Sequence, residues 1–367
     1  MPKLHAQVNQ TQQMVIQFLD TLQKNAYMGK SMQWDSIRPA FIAETGHINE
    51  VNQLKPYFEK LLKTLKDGHS SLFFEEAEKD KESEQDQFEK MAVMTDKEAG
   101  IPPKNFQHYM IDSKYAYINV PPVMLENRKY VDTIGIQLKN LDAQDPKAWI
   151  IDLTENNGGN IMPMIWQFPS LLDTDKTYAY VDAQGKEKKA ITYYTVESPE
   201  DLTYFQLFQL EPDQVKPVKL LHNDIPIILL TSNITASSGE FFTAHFKGQK
   251  NVKVIGQKTG GLTSGNAPFN INKNCMVMLT TSVLKDRNGK VYKIAEGIEP
   301  DIVFPIEMKP KKNKNKLTYS EMQEIIKNAK QRYIDQAIAI IENKSGNWFQ
   351  GQDRAWPLPV QYLSYNL

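Results

Sequence analysis

Only one cysteine occurs in the 367 residues, Cys275, so no disulfide forms within the chain and no thiolate-rich metal cluster is available. It begins the run CMVML, which reads as a strand, where a lone thiol serves as a small buried hydrophobe. An excess of either charge is equally lacking. With 43 basic and 44 acidic residues, nothing steers the chain toward nucleic acid, an anionic membrane or an acidic substrate. No apolar run approaches the ~18 residues of a membrane helix. The longest is Ile225 to Leu230, so membrane insertion is not expected. The opening MPKLHAQVNQTQQM shows no succession of basic, apolar and small residues of the kind that marks a secretory signal. No His/Asp/Glu group has ligand spacing such as His-Glu-x-x-His, and neither a metal nor another cofactor is expected.

What is present divides by texture. Residues 1–75 repeat apolar side chains at helical spacing, as in Met14, Ile16, Phe18, Leu19 and Leu22, then Leu54, Phe58, Leu61, Leu62 and Leu65, which predicts a helical domain. Residues 76–104 are dominated by charge and predict a solvated connector. Residues 105–310 alternate short β-rich runs with amphipathic segments, the pattern of an α/β domain. The expected strands are Tyr115 to Val120, Trp149 to Leu153, Ile225 to Leu230, Val252 to Ile255, Met276 to Leu284 and Ile302 to Phe304; the expected helices are Val131 to Leu141, Met162 to Leu172 and Gly239 to Phe246. Residues 311–367 predict a basic linker and a C-terminal helix, with Ser320 and Gln323 as its capping pair and Ile325, Ile326, Ala329, Tyr333, Ala337 and Ile340 as its apolar stripe.

Three short segments carry chemistry. In IPIILLTSNITASSGEFFTAHF an apolar strand stops, a polar turn follows, and a helix begins at Ser237 or Ser238. A serine there meets unpaired backbone N–H groups and the positive end of the helix dipole, which favour an alkoxide and the oxyanion it creates, although a serine followed by Glu240 also makes an ordinary helix cap. After the strand ending at Leu153, the turn through Gly158 and Gly159 exposes N–H groups unshielded by side chains, as an oxyanion hole requires; paired glycines are also common in plain turns. The third segment, Lys66-Asp67-Gly68-His69-Ser70, holds the one histidine of six that sits in a short polar turn, where an imidazole can act as general base. His245 lies about two turns, ~10 Å, down the helix from Ser237, too far to take its proton.

Taken in order, these segments resemble the C-terminal processing (tail-specific) peptidases, in the branch related to the tricorn protease core and the retinoid-binding protein modules. The matching motifs are Asp67 to Ser70, the strand from Tyr115 to Val120, Asp-Leu-x-x-Asn-x-Gly-Gly (Asp152 to Gly159), Thr-Ala-Ser-Ser-Gly-Glu (Thr235 to Glu240), Gly-x-x-Thr-x-Gly (Gly256 to Gly261) and Gly-Ile-x-Pro-Asp (Gly297 to Asp301). The resemblance implies Ser237 as nucleophile, with backbone N–H groups of Ser238 and of Gly158 or Gly159 as oxyanion donors. The processing branch activates its serine with a lysine, but Leu262 stands at that position and Lys258 is four residues early. The branch without the lysine implies a Ser-His mechanism with His69 as base. Glu296 is the nearest match to that branch's assisting glutamate, though it directly precedes Gly297, and Gly68 stands where the tricorn core has an assisting serine, leaving Ser70 as a substitute.

The expected fold is therefore α/β, a crotonase-like β-β-α superhelix core with an N-terminal helical domain, a C-terminal helix and no PDZ domain. The expected function is a serine peptidase acting on polypeptides or peptides. The alternatives are a noncatalytic lipid- or peptide-binding relative and a hydrolase of non-peptide esters or amides. Family resemblance points to a periplasmic or secreted location, and the sequence does not fix an oligomeric state.

Overall fold

The computed structural model describes residues 2–74, 94–173, 176–191, 205–206, 208–273, 275–308 and 317–343, with side chains from residue 10 onward. Most of the expected charged connector, the lysine-rich run 309–316 and everything after residue 343 lie outside the described residues.

The N-terminal apolar spacing produces α1 (Pro2–Asn25), α2 (Trp34–Thr45) and α3 (Lys55–Thr64). Their inward stripes bury Val15, Phe18, Leu19, Leu22, Phe41, Phe58 and Leu61, and Phe18 stacks on Phe58 with ring centroids 3.9 Å apart. This core does not end with the helices. It continues into Ile271, Cys275, Val277 and Leu279 of an antiparallel sheet, whose strands are β1 (Ser71–Phe74), β5 (Ala179–Asp182), β6 (Glu187–Lys189), β9 (Ser264–Asn272) and β10 (Cys275–Lys285). The order is β1-β10-β5-β6, with β9 also paired to β10. Cys275 takes the structural place expected of it: it is buried, and burial pushes its thiol up to about 12, far from a reactive thiolate.

The second sheet has the order β11-β8-β7-β4-β3-β2. Its strands β3 (Tyr115–Asn119), β4 (Ala148–Asp152), β7 (Ile227–Thr231), β8 (Val252–Gly256) and β11 (Ile302–Val303) run parallel, and β2 (His108–Ile111) is antiparallel at one edge. Parallel strands need both faces covered, which is why their sequences read as unbroken apolar runs. One face packs Trp149, Ile151 and Leu229 against α4 (Asn127–Asp142), α5 (Ile161–Ile165) and α6 (Ser238–Phe246). The opposite face packs Tyr117, Ile150, Ile228 and Leu230 against α7 (Tyr319–Glu342) through Ile326, Ala329, Tyr333 and Ala337. The cap of α7 is Thr318, whose hydroxyl accepts the Glu321 N–H at 3.3 Å, not the expected Ser320 and Gln323. No helix among the described residues is long and apolar enough to cross a membrane.

Ligand sites of open parallel sheets lie beyond the carboxyl ends of the strands. At that end β4 runs into Thr154–Asn160 and β7 into Ser232–Ser237, so the two sequence segments singled out for chemistry emerge side by side.

Candidate active site

Hydrogen bonds stitch the turn after β7 to the loop after β4 and to itself. Ser232 Oγ donates to Thr154 O at 2.6 Å and Thr235 Oγ1 to Leu153 O at 2.7 Å, while Ala236 N–H donates to Asn156 O at 3.0 Å and Ser232 N–H to Thr235 Oγ1 at 3.0 Å. At the end of this turn Ser237 holds φ 50° and ψ −121°, a region that costs a residue with a Cβ about 1–3 kcal/mol and persists only when its surroundings enforce it. Gly158 lies directly against it: a Cβ added there would stand 2.8 Å from Ser237 Cβ and 3.3 Å from its Oγ.

Glu240, one turn into α6, enforces the Ser237 conformation. Its carboxylate is fully buried and accepts Ser237 N–H at 3.0 Å on Oε2, with Gly261 N–H at 2.9 Å and the Thr259 hydroxyl on Oε1, and the Leu262 backbone adds a further hydrogen bond. Thr259 Oγ1 in turn accepts Ile298 N–H at 2.7 Å, and Gly297 fits because any Cβ there would lie 2.2 Å from Thr259 O. Two of the sequence motifs, Gly256 to Gly261 and Gly297 to Asp301, thus close on the carboxylate beneath the serine. Burial pushes the Glu240 carboxyl up to about 7, against the pull of these hydrogen bonds.

In the glycine turn, Asn156 bridges two segments by donating to Val120 O at 2.8 Å and accepting Gly158 N–H at 2.9 Å. Gly158 N–H is therefore occupied. Gly159 has φ 115°, and a Cβ there would stand 2.1 Å from Val123 O. Its carbonyl accepts the Ser238 hydroxyl. Among the described residues, neither Gly159 N–H nor Ser238 N–H donates a hydrogen bond to any other group. At the end of β4, Asp152 is buried and accepts Thr154 N–H at 2.8 Å, the Thr154 hydroxyl at 2.6 Å and the Tyr117 hydroxyl at 2.5 Å. It anchors the base of the loop.

His69 is held from the other sheet. Asp67 is buried, and its carboxylate accepts the N–H groups of His69 and Ser70 at 3.1 and 2.9 Å and the Ser70 hydroxyl at 2.6 Å. Ser70 Oγ also accepts Thr280 N–H at 2.9 Å, so this serine is committed to the loop and not to the imidazole. His69 Nδ1 instead pairs with Ser264 Oγ at 2.9 Å, and its carbonyl accepts Asn266 Nδ2 at 3.0 Å. Burial holds the imidazole below its ordinary value while the Asp67 carboxylate and a hydrogen bond to the Ser264 backbone oppose that shift, which leaves a neutral ring at neutral pH. No hydrogen bond joins His69 to Ser237 among the described residues. The two supports are nonetheless close along the chain: from Gly261, bonded to Glu240, to Ser264, bonded to His69, three Cα steps span at most about 11 Å.

The remaining residues of interest point elsewhere. The Glu296 carboxylate pairs with Lys290 at 2.7 Å and accepts Lys293 N–H at 3.0 Å, contacts that hold its carboxyl below the usual range, and it forms no hydrogen bond to His69, Ser264 or Ser237. Its backbone carbonyl accepts the Thr263 hydroxyl at 2.7 Å. Lys258 pairs with Glu299 at 2.8 Å and is half exposed. His245 is buried, and desolvation lowers its imidazole to about 3, so it stays neutral inside the protein. Sequence reasoning missed Ser264, and took Glu240 only as a capping partner. The spacing of Ser237 and Glu240 was the signal for the second; the first had none.

A strained serine at a helix start, a buried carboxylate beneath it and backbone donors without a partner among the described residues thus lie together on an α/β core. Residues 114–304 match the model of peptidase family S41, more than half of the chain; the protein belongs to that family and is a serine-type peptidase. It is 24% identical over 278 residues to the nisin-resistance protein of Lactococcus lactis subsp. lactis, covering 74% of this chain and 76% of that one. The structure resembles that of a lipoprotein from Streptococcus agalactiae with a TM-score of 0.61 and 23% identity, covering 88% of this chain and 96% of the other. It also resembles the photosystem II D1 C-terminal processing protease with a TM-score of 0.53 and 12% identity, over 82% of this chain and 94% of that one. At these identities the two likenesses establish a shared fold, in keeping with the mixed α/β architecture expected from the sequence.

Proposed function

We propose that the protein cleaves peptide bonds of polypeptides or peptides with Ser237 as nucleophile, His69 as general base, and the N–H groups of Gly159 and Ser238 as the oxyanion hole. The observation that carries this reading is the backbone of Ser237, at φ 50° and ψ −121° and bonded to a buried glutamate. Strain maintained at such expense by Thr259, Gly261 and Glu240 fits a residue whose hydroxyl must project into a cleft. Gly158, whose N–H is taken by Asn156, acts as the spacer that lets Ser237 approach, and Gly159 is the donor. A neutral, partly buried imidazole suits a base working near neutral pH. The lysine alternative finds no support, since Leu262 stands at the position and Lys258 is paired outward. Glu296 is left a structural place at the Lys290–Lys293 turn. We read the core as a crotonase-like β-β-α superhelix, a reading supported by the parallel strands β3, β4, β7 and β8 with their crossing helices.

The test compares hydrolysis of an unfolded polypeptide with that of a small ester, in wild type, Ser237→Ala and His69→Ala. Nisin, named in the Lactococcus relative, belongs on the substrate panel. Polypeptide turnover is expected to fall by a factor on the order of 10³ or more in either variant. Ester turnover without any peptide cleavage would reassign the substrate class.

A further inference from the structure

We infer that Ser264 is the positioning residue of this site, the third member of a Ser237–His69–Ser264 relay in which a hydroxyl takes the place usually held by a carboxylate. The proposal rests on the Ser237–His69 reading above and goes beyond it by naming what fixes the imidazole. Ser264 opens β9, is 4% exposed, and places Oγ 2.9 Å from His69 Nδ1. Its backbone position is set by pairing with Val283 of β10, and two residues on, Asn266 clamps the His69 carbonyl. The same strand thus holds the histidine by backbone and by ring. Neither Glu296 nor Ser70 competes for Nδ1, because one is paired with Lys290 and the other with Asp67 and Thr280.

The chemistry follows from which nitrogen carries the proton. With Nδ1–H donating to Ser264 Oγ, the lone pair sits on Nε2, free to take the Ser237 proton as Oγ bonds to the scissile carbonyl carbon. The imidazolium so formed keeps Nδ1–H on Ser264 and returns the Nε2 proton to the leaving amine as the C–N bond breaks. Water then repeats the sequence on the acyl-enzyme, giving its proton to Nε2 and releasing the acid and the Ser237 hydroxyl. A neutral acceptor stabilises the imidazolium less than a carboxylate does, which accords with an imidazole held below its ordinary value by burial, against the Asp67 carboxylate and a contact with the Ser264 backbone that favours the charged ring. Ser264 thus meets the ring by backbone as well as by its hydroxyl.

The test reads the ring directly and turnover separately. In ¹⁵N spectra of the full chain, with His69→Gln assigning the signal, His69 is expected to show a protonated Nδ1 and a bare Nε2, and Ser264→Ala to mix the tautomers. Turnover should fall roughly tenfold in kcat with KM unchanged in Ser264→Ala, and recover in Ser264→Thr, which keeps the hydroxyl. Ser264→Asp should move the acid limb of the rate profile to higher pH. A bare Nδ1 in wild type, or a Ser264→Ala variant with unchanged ring signals and kcat, would overturn the proposal. The spectrum reports the contact whether or not Ser237→Ala abolishes turnover, so failure of the Ser-His reading and failure of this proposal leave different records.

Discussion

Glu240 accepts several donors at once, one of them the N–H of the proposed nucleophile. Substituting Gln sets an amide N–H against at least one of those donors, and a buried donor left without an acceptor costs about 1–3 kcal/mol. The titration adds a sign. The carboxyl has an ordinary value of 4.5 and one of about 7 in the folded protein, so the folded state binds more protons between those values and stability falls as pH rises through them. Urea unfolding at about pH 5 and about pH 8 should show wild type losing more stability than Glu240→Gln between the two. Parallel losses would mean that Glu240 does not titrate in that window. Ser264 was invisible in the sequence for a different reason: its partner is 195 residues away, and only the pairing of β1 and β9 with β10 brings the two together.

At the scale of elements, what could be read and what could not divide along burial. The strands β3, β4 and β7 are buried at every position, so their apolar runs were plain and their ends fell within a residue or two of the expected ones. β9 reads SGNAPFNIN, with Gly265 and Pro268 inside it, and carries no strand signal of its own; it forms because β10 offers it a partner along most of its length. The segment expected as a helix from Met162 to Leu172 is interrupted after Ile165 and resumes as a short 3₁₀ turn at Pro169–Leu171, with Pro169 ending the run that periodicity alone extended. The stripe of α7 was legible because it follows the helical period, and it closes the outer face of the parallel sheet with Tyr333 at its centre, its ring 5.3 Å from Phe304. Truncating Tyr333 to Ala should cost about 3–5 kcal/mol in urea unfolding, as for other buried aromatics. The fraction of folded molecules able to react at Ser237 should not change, since α7 covers the face of the sheet opposite α6. A selective loss of reactivity at full stability would instead tie α7 to the site.

For the molecule as a whole, the proposed site draws on both sheets. In the proposed reading Ser237, Gly159 and the Glu240 brace come from the parallel sheet and its loops, His69 and Ser264 from the antiparallel sheet, and the segment from Gly256 to Ser264 passes from one to the other, with Gly261 bonded to Glu240 and Ser264 to His69. This explains why the sequence motifs were legible as an ordered set while their division of labour was not: several of them hold the backbone that holds the serine. Intact-mass detection of a fluorophosphonate adduct near neutral pH, in wild type, Ser237→Ala and His69→Ala, decides whether Ser237 is an activated nucleophile. A single adduct is expected on wild type, none on Ser237→Ala, and a rate lowered on the order of 10²-fold or more in His69→Ala. An adduct that persists in Ser237→Ala, or a folded wild type that never reacts, would remove Ser237 from the nucleophile's role.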